Sequence, residues 1–277
     1  MKTKDITFII VTFHSDNVIF DCLNSLPNDS KKIVVENSQN LNLKNILEKK
    51  YNNLTCILSN ENLGYGRANN IGIKLCETDY VFILNPDVRF KVSDLEKFLE
   101  ILNKENFVIA APVAFEEFEQ LKNIKQINEV EFVKGFAMLL NKKSLNNIYF
   151  DENFFLYLEE IDLCKRIREN NGKILSINVP FIHLGGLSHG DRENIEMEKS
   201  RNWHWMWSKF YFKKKYQGYF LAFFSTFPSF LSSIIKFLFY SFTNNKLKKN
   251  IYKMRFLGLL NSYFLKKSFY RPKFFRY

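Results

Sequence analysis

Short apolar runs alternate with segments of helical spacing through the first 110 or so residues. Ile6-Thr-Phe-Ile-Ile-Val-Thr12 predicts a strand, closed by Phe13-His14-Ser15. Asp16 is placed to cap a helix over Val18 to Leu26 that Pro27 stops. Lys32 to Glu36 predicts a second strand, Leu43 to Tyr51 a helix, and Thr55 to Leu58 a third strand. After the turn-forming Asn60-Glu-Asn-Leu-Gly64, a helix from Gly66 to Cys76 leads into the apolar run Val81 to Leu84. A helix over Asp94 to Asn103 and a strand over Phe107 to Ala111 follow. Strands separated by helical segments predict an α/β domain with a mostly parallel sheet and helices on both faces. The strand ends at Thr12, Glu36 and Asp87 then converge on one crevice, the edge where open α/β sheets bind ligands.

Beyond Pro112 the pattern changes. Phe115 to Val130 is charged and without a period, which predicts a loop or flap. Phe132 to Leu140 predicts a strand containing Gly135, a mark of close backbone approach. Glu159, Glu160 and Asp162 fall in the first turn of a helix that follows the aromatic run Phe154-Phe155-Leu156-Tyr157. Acids there are favoured by the helix dipole by roughly 0.3–1 kcal/mol each. An apolar wall beside them raises a carboxyl pKa toward the range of a base catalyst. Ile174 to Ile177 predicts a last strand before Pro180 and His183.

Candidate chemistry concentrates at two places. Asn85-Pro86-Asp87 ends the Val81–Leu84 strand, because proline cannot continue the ladder, and leaves a carboxylate at its carboxyl end. A hard oxygen ligand there suits a divalent cation on phosphates, and equally a solvated turn. His183 and His189 flank a glycine turn, a setting for a core histidine or for a ligand to metal or phosphate. The four cysteines are scattered and read as core residues in a reducing compartment.

Charge splits the chain. Of 40 Lys+Arg and 29 Asp+Glu, residues 201–277 hold 16 basic and no acidic ones, leaving 24 and 29 (net −5) in residues 1–200. The basic tail surrounds an uncharged apolar stretch, 218–235, interrupted by Pro228. Lysines on both sides argue against a simple span and for an interfacial or re-entrant helical hairpin on the cytoplasmic membrane surface. A subdomain packed on the core is the alternative, and the continuity of the apolar stretch argues against nucleic acid. The expected division is a catalytic domain over 1–195 and a basic, aromatic helical region over 196–277. With no leader-like apolar segment ahead of Ile6, the expected location is cytoplasmic and peripheral to the inner face of the plasma membrane.

Six stretches in order resemble the family 2 inverting glycosyltransferases, nearest their bacterial rhamnosyltransferase-like branch. They are Ile9-Ile-Val-Thr-Phe-His14, Val34-Val-Glu-Asn-Ser38, Asn62 to Gly72, Leu84-Asn-Pro-Asp87, Gly135-Phe-Ala-Met138 and Phe150 to Asp162, within about Ile6 to His189. The resemblance implies a GT-A fold, a nucleotide-diphosphate sugar donor, and Mg²⁺ or Mn²⁺. It implies that Thr12 and His14 line the nucleotide, that Glu36 faces its base, that Asn37 joins the donor site, and that Asn62, Gly64, Arg67 and Asn70 contact nucleotide and sugar. Asp87 matches the last acid of the family's metal motif, Asn85 replaces the first and joins the donor site, and His183 reaches metal or diphosphate. The family's usual catalytic Asp is Glu160 here, with Asp162 as fallback and Glu159 as an acceptor-orienting group. The implied reaction moves a sugar, rhamnose in the commonest case, to a saccharide or lipid-linked saccharide acceptor in surface-polysaccharide synthesis. The alternative is a degenerate protein of the same fold that binds nucleotide-sugar or lipid without turnover.

Overall fold

The computed structural model describes residues 1–118, 120, 125–185 and 195–272. Its elements follow the predicted alternation: β1 (Ile6–Thr12), α1 (Ile19–Asn24), β2 (Lys31–Glu36), α2 (Leu41–Lys50), β3 (Leu54–Leu58), α3 (Tyr65–Leu75) and β4 (Tyr80–Leu84). Then come β5 (Val88–Arg89), α4 (Val92–Leu102), β6 (Ile109–Ala114), α5 (Phe115–Phe118), β7 (Ile127–Glu129), β8 (Ala137–Asn141), α6 (Glu159–Glu169) and β9 (Ile174–His183). Three long helices follow: α7 (Ile195–Gln217), α8 (Tyr219–Ser241) and α9 (Lys246–Tyr263).

The sheet runs β3-β2-β1-β4-β8-β6-β9-β5, with β7 on β9. The first four strands are parallel to their neighbours, β8 is antiparallel to both β4 and β6, and β9 is parallel to β6. Period-2 alternation sends Phe8, Ile10, Phe82 and Leu84 to one face, against Leu23 of α1, Leu47 of α2 and Phe98 of α4. Ile9, Ile83 and Met138 take the other face, against Ile73 of α3 and Ile167 of α6. Each such side chain, fully buried, contributes roughly 1.5–3 kcal/mol before chain entropy is subtracted. All four cysteines are buried and free, as expected of core residues.

Several local expectations are corrected. Asp16 does not cap α1, whose N-cap is Val18; its carboxylate accepts from Asn40 Nδ2 instead. The segment expected as a flap contains α5 and β7, and the strand expected over Phe132 to Leu140 begins only at Ala137. Proline ends neither β6 nor β9, because Pro112 and Pro180 sit where their mutual register slips and a missing N–H leaves no gap in the ladder.

Contacts divide the chain into two units, Met1–Asp151 with Glu160–Arg192, and Glu152–Glu159 with Glu193–Tyr277. In the second unit, α9 packs on both α7 and α8. Met206, Phe210, Ala222, Leu259 and Tyr263 form its core. A Cβ on Gly258 would stand 2.3 Å from the carbonyl oxygen of Trp203, so only glycine lets α9 approach α7 this closely. Pro228 does not interrupt α8, which is long and apolar enough to cross a membrane by length and composition. Phe220, Leu221, Phe224, Ile235, Leu238 and Phe239 are exposed along it.

Candidate active site

Four parallel strands bring their carboxyl ends to one edge, and that register places the first candidates. Thr12 pairs with Glu36, and the amide of Asn37 donates to the carbonyl of Thr12 at 2.8 Å. Thr12 is fully buried, and its hydroxyl has no hydrogen-bond partner among the described residues. His14, just beyond, holds a left-handed backbone (φ 51°), an uncommon state for a non-glycine residue and one that clusters at functional turns. Burial lowers its pKa, against the opposing pull of Glu36 and Asp16.

Other predicted donor residues are engaged by their own chain. The Glu36 carboxylate, fully buried, accepts from the Ser38 amide at 2.9 Å, the Asn40 amide at 2.6 Å and the Ser38 hydroxyl. Asn37 donates to the Gly64 carbonyl at 3.2 Å and accepts from Ser59 Oγ at 3.0 Å. Asn62 Oδ1 accepts from the Gly64 amide at 3.1 Å, and Gly64 takes φ 79°, ψ −176° to start α3, a conformation open essentially to glycine. Asn70 clasps both backbone groups of Phe150, donating to its carbonyl at 2.9 Å and accepting from its amide at 3.0 Å. Arg67 is exposed, with Glu61 3.4 Å away.

Asn85 and Asp87 lie where β4 ends. The turn is tied by Val88 N–H to the Asn85 carbonyl at 3.1 Å, and β5 then pairs Val88 with His183 at the end of β9. That pairing sets His183 Nε2 3.6 Å from Asp87 Oδ1 and 3.4 Å from Asn85 Nδ2. Asp87 is 1% exposed, and neither carboxylate oxygen has a hydrogen-bond partner among the described residues. A buried carboxylate left this way is costly unless a cation completes it. Two hard oxygens beside an imidazole fit Mg²⁺ or Mn²⁺. No group of three His, Cys, Asp or Glu side chains converges among the described residues, so protein ligands alone do not close a metal shell there. His189 lies outside the described residues.

Glu160 stands in the first turn of α6 with its side chain over Gly135, where an added Cβ would lie 3.5 Å from Glu160 Cβ and Cγ. That is ordinary van der Waals distance, so Glu160 borders Gly135 without requiring a glycine there. Burial raises the Glu160 pKa, while the N–H groups of Glu160 and Ile161 at the helix start draw it back. Tyr65 hydroxyl donates to the Gly135 carbonyl. The next residue, Phe136, stacks on the His183 ring at 4.8 Å and accepts at its carbonyl from Asn85 N–H at 2.8 Å. So the dipeptide Gly135-Phe136 touches the Glu160 side with one residue and the Asp87 side with the next, about 3.8 Å further along the chain. Asp162 is fully buried and accepts from Arg166 Nε at 2.7 Å, while Arg166 also donates to the Tyr149 carbonyl at 2.6 Å. Glu159 is buried as well.

Tyr65 and Phe136 are site residues that sequence reasoning did not single out, although both sit inside stretches that it did. A groove of ≈530 Å³ bordered by Thr7, Lys31, Tyr51 and Glu77 lies at the amino-terminal side of β1 to β3, away from these carboxylates.

A family model described as glycosyl transferase family 2 matches residues 7–164. The chain is 25% identical over 194 residues to the low-salt glycan biosynthesis hexosyltransferase Agl10 of Haloferax volcanii, covering 60% of this chain and only 62% of that relative's length. It is 24% identical over 237 residues to the rhamnosyltransferase WbbL of Escherichia coli, covering 71% of this chain and 88% of that relative. Among solved structures, a mannosyltransferase from Pyrobaculum calidifontis in complex with GDP-Man and Mn²⁺ matches with a TM-score of 0.55 at 11% identity, over 95% of this chain and 88% of that one. GalNAc-T7 with UDP, GalNAc and Mn²⁺ matches with a TM-score of 0.53 at 11% identity, over 64% of this chain and 42% of that one. The architecture, a curled and mostly parallel sheet followed by helices, is that of GT-A glycosyltransferases.

Proposed function

This chain belongs to glycosyl transferase family 2, and from that premise we propose that it is a metal-dependent, inverting transferase. Its donor is a nucleotide-diphosphate sugar and its acceptor a saccharide, lipid-linked, in the making of a surface polysaccharide. The observation that carries the reading is the pair of buried Asp87 oxygens, without a hydrogen-bond partner among the described residues, joined through Phe136 and Gly135 to a glutamate whose pKa is raised.

Asp87 and His183 would hold Mg²⁺ or Mn²⁺, with Asn85 beside them. Bound there, the cation offsets the charge that grows on a departing diphosphate. Thr12, whose hydroxyl is free to bond a ligand, and His14 border the nucleotide. Glu160 accepts the proton of the acceptor hydroxyl as that oxygen attacks the anomeric carbon, and a single displacement inverts the configuration. Glu160 is preferred to Asp162 because the Asp162 carboxylate is committed to Arg166 at 2.7 Å. Rhamnose is the first sugar to try, because WbbL is described as a rhamnosyltransferase.

The second unit suits a membrane surface: α8 exposes Phe220, Phe224, Ile235 and Phe239, and Lys213 to Lys215 and Lys246 to Lys249 flank it. Such a helix lies in the interface with its apolar side among acyl chains and its lysines at anionic head groups, each worth about 1 kcal/mol.

The test is a thermal-shift screen of nucleotide sugars, dTDP-rhamnose among them, with and without Mn²⁺. A ligand at about 100 times its Kd adds roughly 2.7 kcal/mol to stability. Mn²⁺-dependent stabilisation is expected in the wild type and absent in Asp87→Ala. Equal stabilisation of both proteins removes the metal site. Stabilisation without Mn²⁺-dependent transfer or donor hydrolysis would instead favour the binding-only protein.

A further inference from the structure

The chain enters α6 through residues 152–159, and these pack within the second unit, along one stripe of α7. Phe154 meets Tyr211 edge-on with ring centroids 4.8 Å apart. Phe155 stacks on His204 at 4.4 Å. The Leu156 carbonyl accepts from Ser208 Oγ at 2.9 Å, and Tyr157 meets Trp205 edge-on at 5.5 Å. Residues 204, 208 and 211 are separated by four and three, the spacing of a single helix face. Three consecutive residues, Phe154 to Leu156, are therefore held by one stripe, and Trp205 beside it takes the fourth, Tyr157.

A second layer fixes that surface. The Arg271 guanidinium lies 3.7 Å from the Phe155 ring centroid. His204 Nε2–H donates to the Tyr270 carbonyl at 2.7 Å, and Nδ1 is 2.9 Å from Ser268 Oγ. Burial brings the His204 pKa down to about 3, which keeps the ring neutral.

What the grip holds is strained. Tyr157 (φ 73°) and Leu158 (φ 68°) are successive left-handed residues with side chains, a state rarely adopted outside glycine, and they immediately precede Glu159 and Glu160. Such a pair persists only where surroundings over-determine it.

We propose that Ser208, Trp205 and His204 of α7 are positioning residues for catalysis: they clamp residues 154–157 on the strained path that fixes where α6 begins and so where Glu160 points. The role rests on the reading of Glu160 as the base.

The test uses the full chain and needs no sugar donor. Carboxyl labelling with a water-soluble carbodiimide and an amine, followed by peptide mass spectrometry, compares Glu160 with the exposed Glu169 as an internal control. Ser208→Ala and Trp205→Leu, the latter at a residue 41% exposed and so tolerant of truncation, are expected to change Glu160 labelling severalfold and leave Glu169 unchanged. Amide hydrogen exchange over 157–161 is expected to rise in both. Ser208→Thr, which keeps the hydroxyl, is expected to restore the wild-type pattern. Wild-type labelling and exchange in both variants, or Ser208→Thr failing like Ser208→Ala, overturns the proposal. In any assay where the wild type turns over, the same variants lower kcat with donor KM unchanged. Changed labelling combined with full turnover by Glu160→Gln would leave the clamp standing and remove the base assignment, so the two failures are distinguishable.

Discussion

Asn70 separates two roles that make opposite forecasts. The resemblance makes it a donor contact, whereas the structure makes it a clasp on the Phe150 backbone, with both partners buried (2% and 3% exposed). Asn70→Ala strands one N–H and one C=O where water does not reach. Each unsatisfied buried group costs roughly 1–3 kcal/mol, so the pair is expected to cost about 2–5 kcal/mol. For a chain of this size that lowers the melting temperature by roughly 5–15 °C. Asn70→Asp is close in shape, yet it keeps only the acceptor and sets a carboxylate against the Phe150 carbonyl, so it should do no better than alanine. Thermal unfolding followed by circular dichroism reads both variants, with donor affinity measured on the folded fraction. A wild-type melting temperature in Asn70→Ala, together with weakened donor binding, would refute the clasp and return Asn70 to the donor site.

Burial raises the Glu160 pKa, so the folded protein keeps that proton to a higher pH than the unfolded chain does, and stability falls as pH rises between the two values. Glu160→Gln is therefore expected to melt above the wild type near neutral pH and level with it below about pH 4, while losing transfer; near-normal turnover would move the base elsewhere. Gly258→Ala gains about 1 kcal/mol of helix propensity. It also drives a methyl to 2.3 Å from the Trp203 carbonyl oxygen, and overpacking of this kind costs typically 1–3 kcal/mol. Because the obstacle is backbone, the loss should win and the melting point fall; a higher one would mean the helices yield. Phe224→Glu with Phe239→Glu should abolish flotation with anionic vesicles and leave the fold intact; undiminished flotation would exclude α8 as the contact.

The α/β alternation was legible because period-2 and helical spacing stay distinct up to about Ala114. Phe8 and Phe82 face one layer while Ile9 and Ile83 face the other, as the pattern requires. Legibility failed where tertiary pairing outranks local signals. Pro180 looked like a strand end, but a slip in register absorbs it and carries β9 on to His183. Pro228 looked like a break, yet α8 runs through it. Asp87 and His183 could be nominated separately, but only the pairing of β5 with β9 brings them to 3.6 Å. Sequence likewise offers three acids at the head of α6, and burial with the Arg166 pairing is what tells Asp162 from Glu160. The binding of residues 154–157 to α7 had no forewarning, since aromatic runs read as generic core until their partners are known.

Strand β8 points against both of its neighbours, and that orientation has consequences for how such a protein diversifies. Where β1, β2 and β4 deliver residues to the crevice as they leave the sheet, β8 delivers Gly135 and Phe136 on arrival. The stretch between β7 and β8 can lengthen, shorten or change its chemistry without altering a rung of the ladder. Under the proposed reaction such changes would fall on the Glu160 side of the crevice and leave the Thr12, Glu36 and Asp87 ends of the parallel strands in place.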